Sequence, residues 1–142
     1  MTTREAVLEA LFAALQTISG PKIMRNDPLP EKIPSEGFLI LRDGDPGEPE
    51  TLLSPLSYYW EHQASLEIFV QALDGDTRNQ VMDGLFQKIA TVLASDPTLG
   101  GLCDRITPLA PDTDTLAIEG APSVHTAIVP IELVYTTASQ LG

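Results

Sequence analysis

The chain has 142 residues, one domain's worth of sequence, and 43% of them are hydrophobic against 20% charged; that is too apolar for a disordered chain and long enough to bury a core without a metal or disulfide. Twenty acidic residues against eight basic ones leave a net charge of −12, which repels nucleic acid and anionic lipid and so excludes a DNA coat, an RNA module and a polybasic membrane anchor. The single cysteine allows no internal disulfide, no apolar run approaches the ~20 residues of a membrane span, and an acidic residue as early as Glu5 reads as a helix start, not a signal peptide; the expectation is a soluble, acidic, intracellular domain.

Taken in chain order, Thr2 or Thr3 caps a first helix with Glu5 in its first turn, where a negative charge favours the helix dipole. Val7, Leu11, Ala14, Leu15 and Ile18 form its apolar stripe, widened by Leu8 and Phe12, and Gly20-Pro21 stops it. A short strand is predicted at Lys22–Asn26, then a proline-punctuated link, then a strand at Gly37–Arg42. Asp43–Pro55, with Gly44, Pro46, Gly47 and Pro49 among the acids Asp43, Asp45, Glu48 and Glu50, reads as a mobile loop.

Ser57–Ala72 alternates with period two: Tyr58, Trp60, His62, Ala64, Leu66, Ile68 and Val70 on one face, Tyr59, Glu61, Gln63, Ser65 and Glu67 on the other. A strand of this length, on the order of 50 Å, is expected to project beyond the core in its first half or to bend. Asp74-Gly75-Asp76 opens a second helix with the stripe Val81, Leu85, Ile89 and Val92, ended by Asp96-Pro97. Gly84 in its middle is read as a point of close approach to the sheet. A strand is expected at Leu99–Leu109 after the Gly100-Gly101 turn, an acidic loop at Pro108–Asp114, a short strand at Thr115–Ile118, and a last strand at Val124–Thr137 with His125, Ala127, Val129, Ile131, Leu133 and Tyr135 on one face. Pro130 inside it, lacking an N–H, belongs at an edge or a bulge. The order predicts a single α+β domain over residues 1–142: a mostly antiparallel sheet flanked by two helices, with loops near 43–57 and 108–122.

Chemistry is sparse. Cys103 is the one nucleophile of note, and a catalytic cysteine needs a base beside it; only His62 and His125 could serve, both on predicted strands, and a small Cys-dependent acyl-transfer enzyme is kept as an alternative. The more economical reading is a small semi-buried cysteine and two histidines at a strand surface or an interface. Asp74–Asn79 starts like a calcium loop but puts Asn79 where glycine is required and Leu85 where the bidentate glutamate belongs, so helix capping explains the same residues. No phosphate loop, nucleophile elbow or dinucleotide motif occurs, and no cofactor or metal site is expected. Tyr58-Tyr59-Trp60, by contrast, gathers two of the three tyrosines and the only tryptophan, residue types that favour interfaces. Tyr58, Tyr59, Trp60 and His62, with the acidic loop residues Asp43, Asp45, Glu48 and Glu50, are the candidate interface residues.

The order of parts, with Met24-Arg25-Asn26 closing the first strand, the Leu41–Glu50 run LRDGDPGEPE, the alternating strand from Tyr58, the segment Ala94–Leu102 (ASDPTLGGL) and the ending Leu133-Val134-Tyr135-Thr136-Thr137, resembles the tail terminator proteins of long, non-contractile-tailed phages and prophages. The resemblance implies a small α/β domain that assembles as a homo-hexameric ring on the last ring of the major tail tube protein, stops its polymerisation and offers a docking surface to the head–tail connector or stopper. It places the protein in the virion tail neck, and in the host cytoplasm during assembly, with DNA only passing through the lumen and no membrane partner. A neighbouring neck or tail-completion protein is the alternative of the same kind. The family brings no catalytic residue to carry over. Three features read from the residues suit such a ring: an overlong strand able to pair with a neighbour, a loop able to order on contact, and an acidic surface that would not grip sliding DNA.

Overall fold

A computed structural model describes residues 1–117 and 119–142. Its elements are α1 (Thr3–Leu15), β1 (Lys22–Arg25), β2 (Phe38–Asp45), β3 (Glu50–Leu52), β4 (Ser57–Gln71), α2 (Gly75–Ser95), β5 (Arg105–Pro108), β6 (Asp112–Leu116) and β7 (Val124–Thr137). The strands form one 7-stranded sheet in the order β1-β2-β4-β7-β5, with β3 added beside β4 and β6 beside β7. β1 and β2 run parallel; the other pairings are antiparallel. The fold is therefore the α+β domain that the helical stripes and strand alternation predict.

The period-two pattern of β4 becomes the spine of the sheet, because β7 pairs with it without interruption from Tyr58↔Thr137 to Gln71↔Val124. One face of this ladder presents Trp60, Ala64, Leu66, Ile68 and Val70 beside Ala127, Val129, Ile131, Leu133 and Tyr135. Against it lie Val7, Leu8, Leu11 and Leu15 of α1 and Met82, Leu85, Ile89 and Leu93 of α2, all in one core. Each fully buried aliphatic side chain there contributes about 1.5–3 kcal/mol. Both helices thus cover the same face. On the other face a smaller cluster of Phe38, Ile40, Phe69 and Val124, with Met24 and Ile33, closes one corner; Ile33 belongs to the link that carries the chain from β1 to the parallel β2. The remainder of that face, from Glu67 to Tyr59 along β4, is more open: Glu61 and Gln63 are exposed and Tyr59, Ser65 and Glu67 half-buried, while Val134 opposite Glu61 is buried.

Caps follow the residue chemistry. The Thr2 hydroxyl accepts from the Glu5 N–H at the start of α1, and the Asp74 carboxylate accepts from the Asp76 N–H at the start of α2. α1 ends at Leu15, short of the predicted stop; Ile18 is still buried because two tight turns, Thr17 N–H to Ala14 and Ile18 N–H to Leu15, carry the chain on.

Several expectations are corrected. Asp43–Pro55 is not a plain loop: β2 runs on to Asp45, and Glu50–Leu52 pairs with Ser57–Tyr59 as a hairpin. The physical reason lies in β4, whose first residues extend past β2 and would otherwise leave backbone groups unpaired on that side. For the same reason β4 does not project as a free arm, since its first half is paired with β7 throughout and with β3 at its tip. The expected strand at Leu99–Leu109 shrinks to β5, because turns around the Thr98 carbonyl, which accepts from Gly101 and Cys103, occupy the preceding residues. Asp112–Asp114 belongs to β6 and not to a loop; Ile118, the end of the short strand predicted there, lies outside the described residues. Gly84 does not mark a close approach, because a Cβ at that position would meet nothing within 4 Å.

Pro130 sits where its missing N–H costs nothing. β5 stops pairing at Pro108↔Ile131 and β6 starts at Asp112↔Ile128, so Pro130 falls at the break between them. Its carbonyl still accepts from the Leu109 N–H at 2.8 Å.

Candidate functional site

Cys103 follows α2 in a turn and is buried. Burial pushes its thiol up to about 11, and the carboxylates of Asp104 and Asp96 add to the shift. The adjacent Asp104 N–H bonds to the Val134 carbonyl, which puts Cys103 beside the far end of β7, roughly 30 Å along that strand from His125. His62 has both ring nitrogens engaged elsewhere, with the Tyr135 hydroxyl and the Asp43 carbonyl. The structure therefore brings Cys103 to neither imidazole as a base. Asp74 is occupied as a helix cap, bonding Asp76 and Thr77. Among the described residues no helix is long and apolar enough to cross a membrane.

The candidate interface residues separate into three groups. Trp60 and His62 are 4% and 1% exposed, and their assignment to an interface is corrected: they fall on the face that α1 covers, because they share the parity of Ala64 and Leu66. The Trp60 indole N–H donates to the Thr137 hydroxyl, its ring stacks on Tyr135 with centroids 6.5 Å apart, and the Arg4 guanidinium lies over it at 5.3 Å. Tyr58 is half-buried against the same core. The expectation of surface histidines fails for His62 and holds in part for His125, half-exposed at the start of β7.

Asp43 belongs to a second group, an ion-paired cluster. Arg25 of β1 reaches Asp43 of β2 at 2.8 Å and Glu5 of α1 at 2.7 Å, with a second bond to each carboxylate. Arg25 holds the Glu5 carboxyl below its ordinary value against a smaller opposing effect of burial. Burial pulls Asp43 the other way, but bonds from Arg25 and Asn26 outweigh it and leave that carboxyl low as well. This cluster ties the first turn of α1 to the edge of the sheet.

Asp45, Glu48, Glu50 and Tyr59 form the third group, on and beside the β3–β4 hairpin. Asp45 accepts from the Gly47 N–H and shapes the turn out of β2. Glu48, Glu50, Tyr59 and Glu61 line a shallow recess of about 180 Å³ on the more open face. The hairpin carries what the sequence reading missed: Leu52, Leu53 and Leu56 at its tip, exposed by 37%, 78% and 57%. The Thr51–Ser57 run TLLSPLS was the available signal, an apolar cluster inside a turn-rich stretch. A second apolar surface is a groove of about 390 Å³ between α2 and the β5–β6 link, lined by Phe86, Ile89, Pro108, Leu109 and Val129.

The largely exposed sheet face ends in an apolar tip, while Trp60, His62 and Arg25 are held by partners within the protein. Compared with known proteins, the chain matches no protein-family model, and no curated protein matches it in sequence.

Proposed function

We propose that the protein is a non-enzymatic assembly protein acting as a ring of identical copies, and that the ring is a phage tail terminator which caps the tail tube and offers a surface to the head connector. The observation that supports the assembly role is the leucine tip. Three exposed leucines within five residues, on a hairpin braced by β4, form an apolar projection that a solitary chain gains nothing by displaying. The apolar groove lined by Val129 lies roughly 27 Å along β7 from Thr137, which stands opposite the hairpin end of β4. A tip and a groove on different parts of one molecule make a head-to-tail contact, which closes into a ring when the rotation fits. The phage-tail setting, the six-fold count, the connector and the passage of DNA come from the sequence resemblance alone. A neighbouring neck protein is the second reading, favoured by the same surfaces and separated by its position in a particle.

The experiment is the solution mass of the wild-type chain and of a Leu53→Glu, Leu56→Glu double variant, followed by imaging with the cognate tube protein. The expected result is a hexamer that falls to monomers in the variant with unchanged circular dichroism, and a cap at the tube end. A wild-type chain that stays monomeric at high concentration, alone and with the tube protein, overturns the reading.

A further inference from the structure

His62 stands at a junction of three elements. It lies on β4, fully enclosed, with Arg4 of α1 near enough to act on its charge. Its Nε2 meets the backbone carbonyl of Asp43 on β2. A carbonyl only accepts, so Nε2 carries the hydrogen and Nδ1 carries none. Nδ1 then accepts from the Tyr135 hydroxyl of β7 at 2.8 Å. The neutral ring is thus fully satisfied, and a bridge runs Asp43–His62–Tyr135 across β2, β4 and β7.

The Asp43 end of that bridge is the one place where the β2–β4 ladder breaks step. Pairing is regular from Phe38↔Phe69 to Arg42↔Ser65 and resumes only at Asp45↔Gln63. Gly44 fills the break with φ +72, and a Cβ there would collide with the Gln63 carbonyl. Beyond this bulge the chain leaves the sheet for the turn that leads into β3 and the leucine tip. The His62 ring therefore holds the root of the hairpin where backbone pairing is interrupted.

We propose that His62 is an acid-operated latch: proton uptake by its ring removes the acceptor that holds the Tyr135 hydroxyl and leaves a positive charge enclosed beside Arg4, which favours release of the Asp43 contact and frees the β2 bulge together with the segment that leads to β3. A second proton has only Nδ1 to occupy. There it confronts the Tyr135 oxygen, whose own hydrogen must turn away, while the Arg4 guanidinium of α1 already faces that hydroxyl. Of the charged groups around the ring, the carboxylates of Asp43 and Asp45 favour the protonated form, but burial and Arg4 outweigh them. Arg4 opposes a second positive charge, the Asp43 carboxylate of β2 is engaged by Arg25 of β1 alongside Glu5 of α1, and Asp45 is bonded to the Gly47 N–H. Burial is the largest influence on the ring and disfavours its charged form, ahead of the opposing hydrogen bond to Asp43.

The direction follows from linkage. The closed latch binds its proton less readily than a solvated histidine, so the open form takes up more protons and acid drives opening. Opening begins as the pH falls below the ordinary histidine value of about 6.5 and grows until the closed form itself titrates. Glu5 and Asp43, both held low, stay ionised across this window. The latch does not depend on what the hairpin docks against, and its test can fail while the ring reading stands.

The test is peptide-resolved hydrogen exchange on the whole chain from about pH 7 to about pH 5, normalised for intrinsic rates, with an NMR titration of both imidazoles. Each unit by which the closed form's value lies below the free one corresponds to about tenfold in the opening equilibrium. The expected result is a loss of protection over residues 42–53 that follows the titration of His62 and is bounded at about thirtyfold by pH 5 from the free histidine value, with α2 and the middle of β7 unchanged. His62→Gln abolishes the pH dependence of that segment, whether it leaves the segment closed or open, and His125→Gln retains it. Constant protection over 42–53 across the range, the same acid response in His62→Gln, or a loss spread evenly over the whole chain overturns the proposal.

Discussion

The Trp60 indole N–H donates to the Thr137 hydroxyl at 2.9 Å, and that hydroxyl in turn donates to the Ser139 carbonyl at 2.7 Å. The contact runs diagonally across the β4–β7 ladder, in which Trp60 stands opposite Tyr135. Thr137 both accepts and donates, so an isosteric valine leaves the buried indole N–H without a partner. Thr137→Val is expected to cost about 1–3 kcal/mol in urea denaturation, and Trp60→Ala about 3–5 kcal/mol. A loss of assembly in Trp60→Ala would therefore report on the protomer's own fold and not on a docking surface.

Two glycines should respond in opposite directions. Gly44 adopts φ +72 with its Cβ position 1.9 Å from the Gln63 carbonyl oxygen, whereas Gly84 is helical with open space around it. Gly44→Ala should destabilise by more than about 1 kcal/mol and disturb the hairpin amides. Gly84→Ala should raise the stability of the protomer by about 0.5–1 kcal/mol. Thermal melts of the two variants beside the wild type check both signs.

The Arg25 cluster sets an acid limit distinct from that of His62. Glu5 and Asp43 have folded values below their unfolded ones, so the stability they add is present above the ordinary carboxylate range and is lost as the pH falls through the folded values. Their carboxylates are 42% and 37% exposed, which limits each single pair to about 0.2–1 kcal/mol. Arg25→Met removes both pairs at once and is expected to flatten the stability profile below about pH 4.5. A pH series of urea midpoints for Arg25→Met against wild type reads this directly.

Cys103 should be inert. With its thiol pushed up to about 11 by burial, its thiolate population near neutral pH is about a hundredfold smaller than that of an ordinary cysteine. Labelling of the native chain by a disulfide reagent should be slower than that of the unfolded chain by about this factor or more. Rapid native labelling would show that the turn after α2 opens far more readily than its packing implies.

Much of this architecture is legible in the residues because it rests on periodicity. The alternation of Tyr58 to Val70 and of His125 to Tyr135, and the stripes led by Val7 and Leu85, place two long strands and two helices on one core. β3 was hidden, since Glu50-Thr51-Leu52 has no pattern of its own and forms only because β4 offers an unpaired edge. Arg25, Glu5 and Asp43 lie 20 and 18 positions apart, and nothing local announces their meeting. His62 shares its face with Ala64 and Leu66, but a histidine in such a row fits a wet surface as well as an enclosed one until its two bonding partners are known. The tip leucines illustrate the same gap, because residue type does not report exposure.

The β4–β7 ladder joins residues 57–71 to residues 124–137, and this sets the order of events during synthesis. Until the later segment has left the ribosome, β4 shows a long edge with one apolar side, and α1 has only part of its seat. Pairings so distant in the chain are slow to close, often taking milliseconds to seconds. Nascent chains halted before residue 124 should therefore remain open to proteases and to chaperones, and yield should depend on how quickly translation crosses the last stretch that completes the sheet.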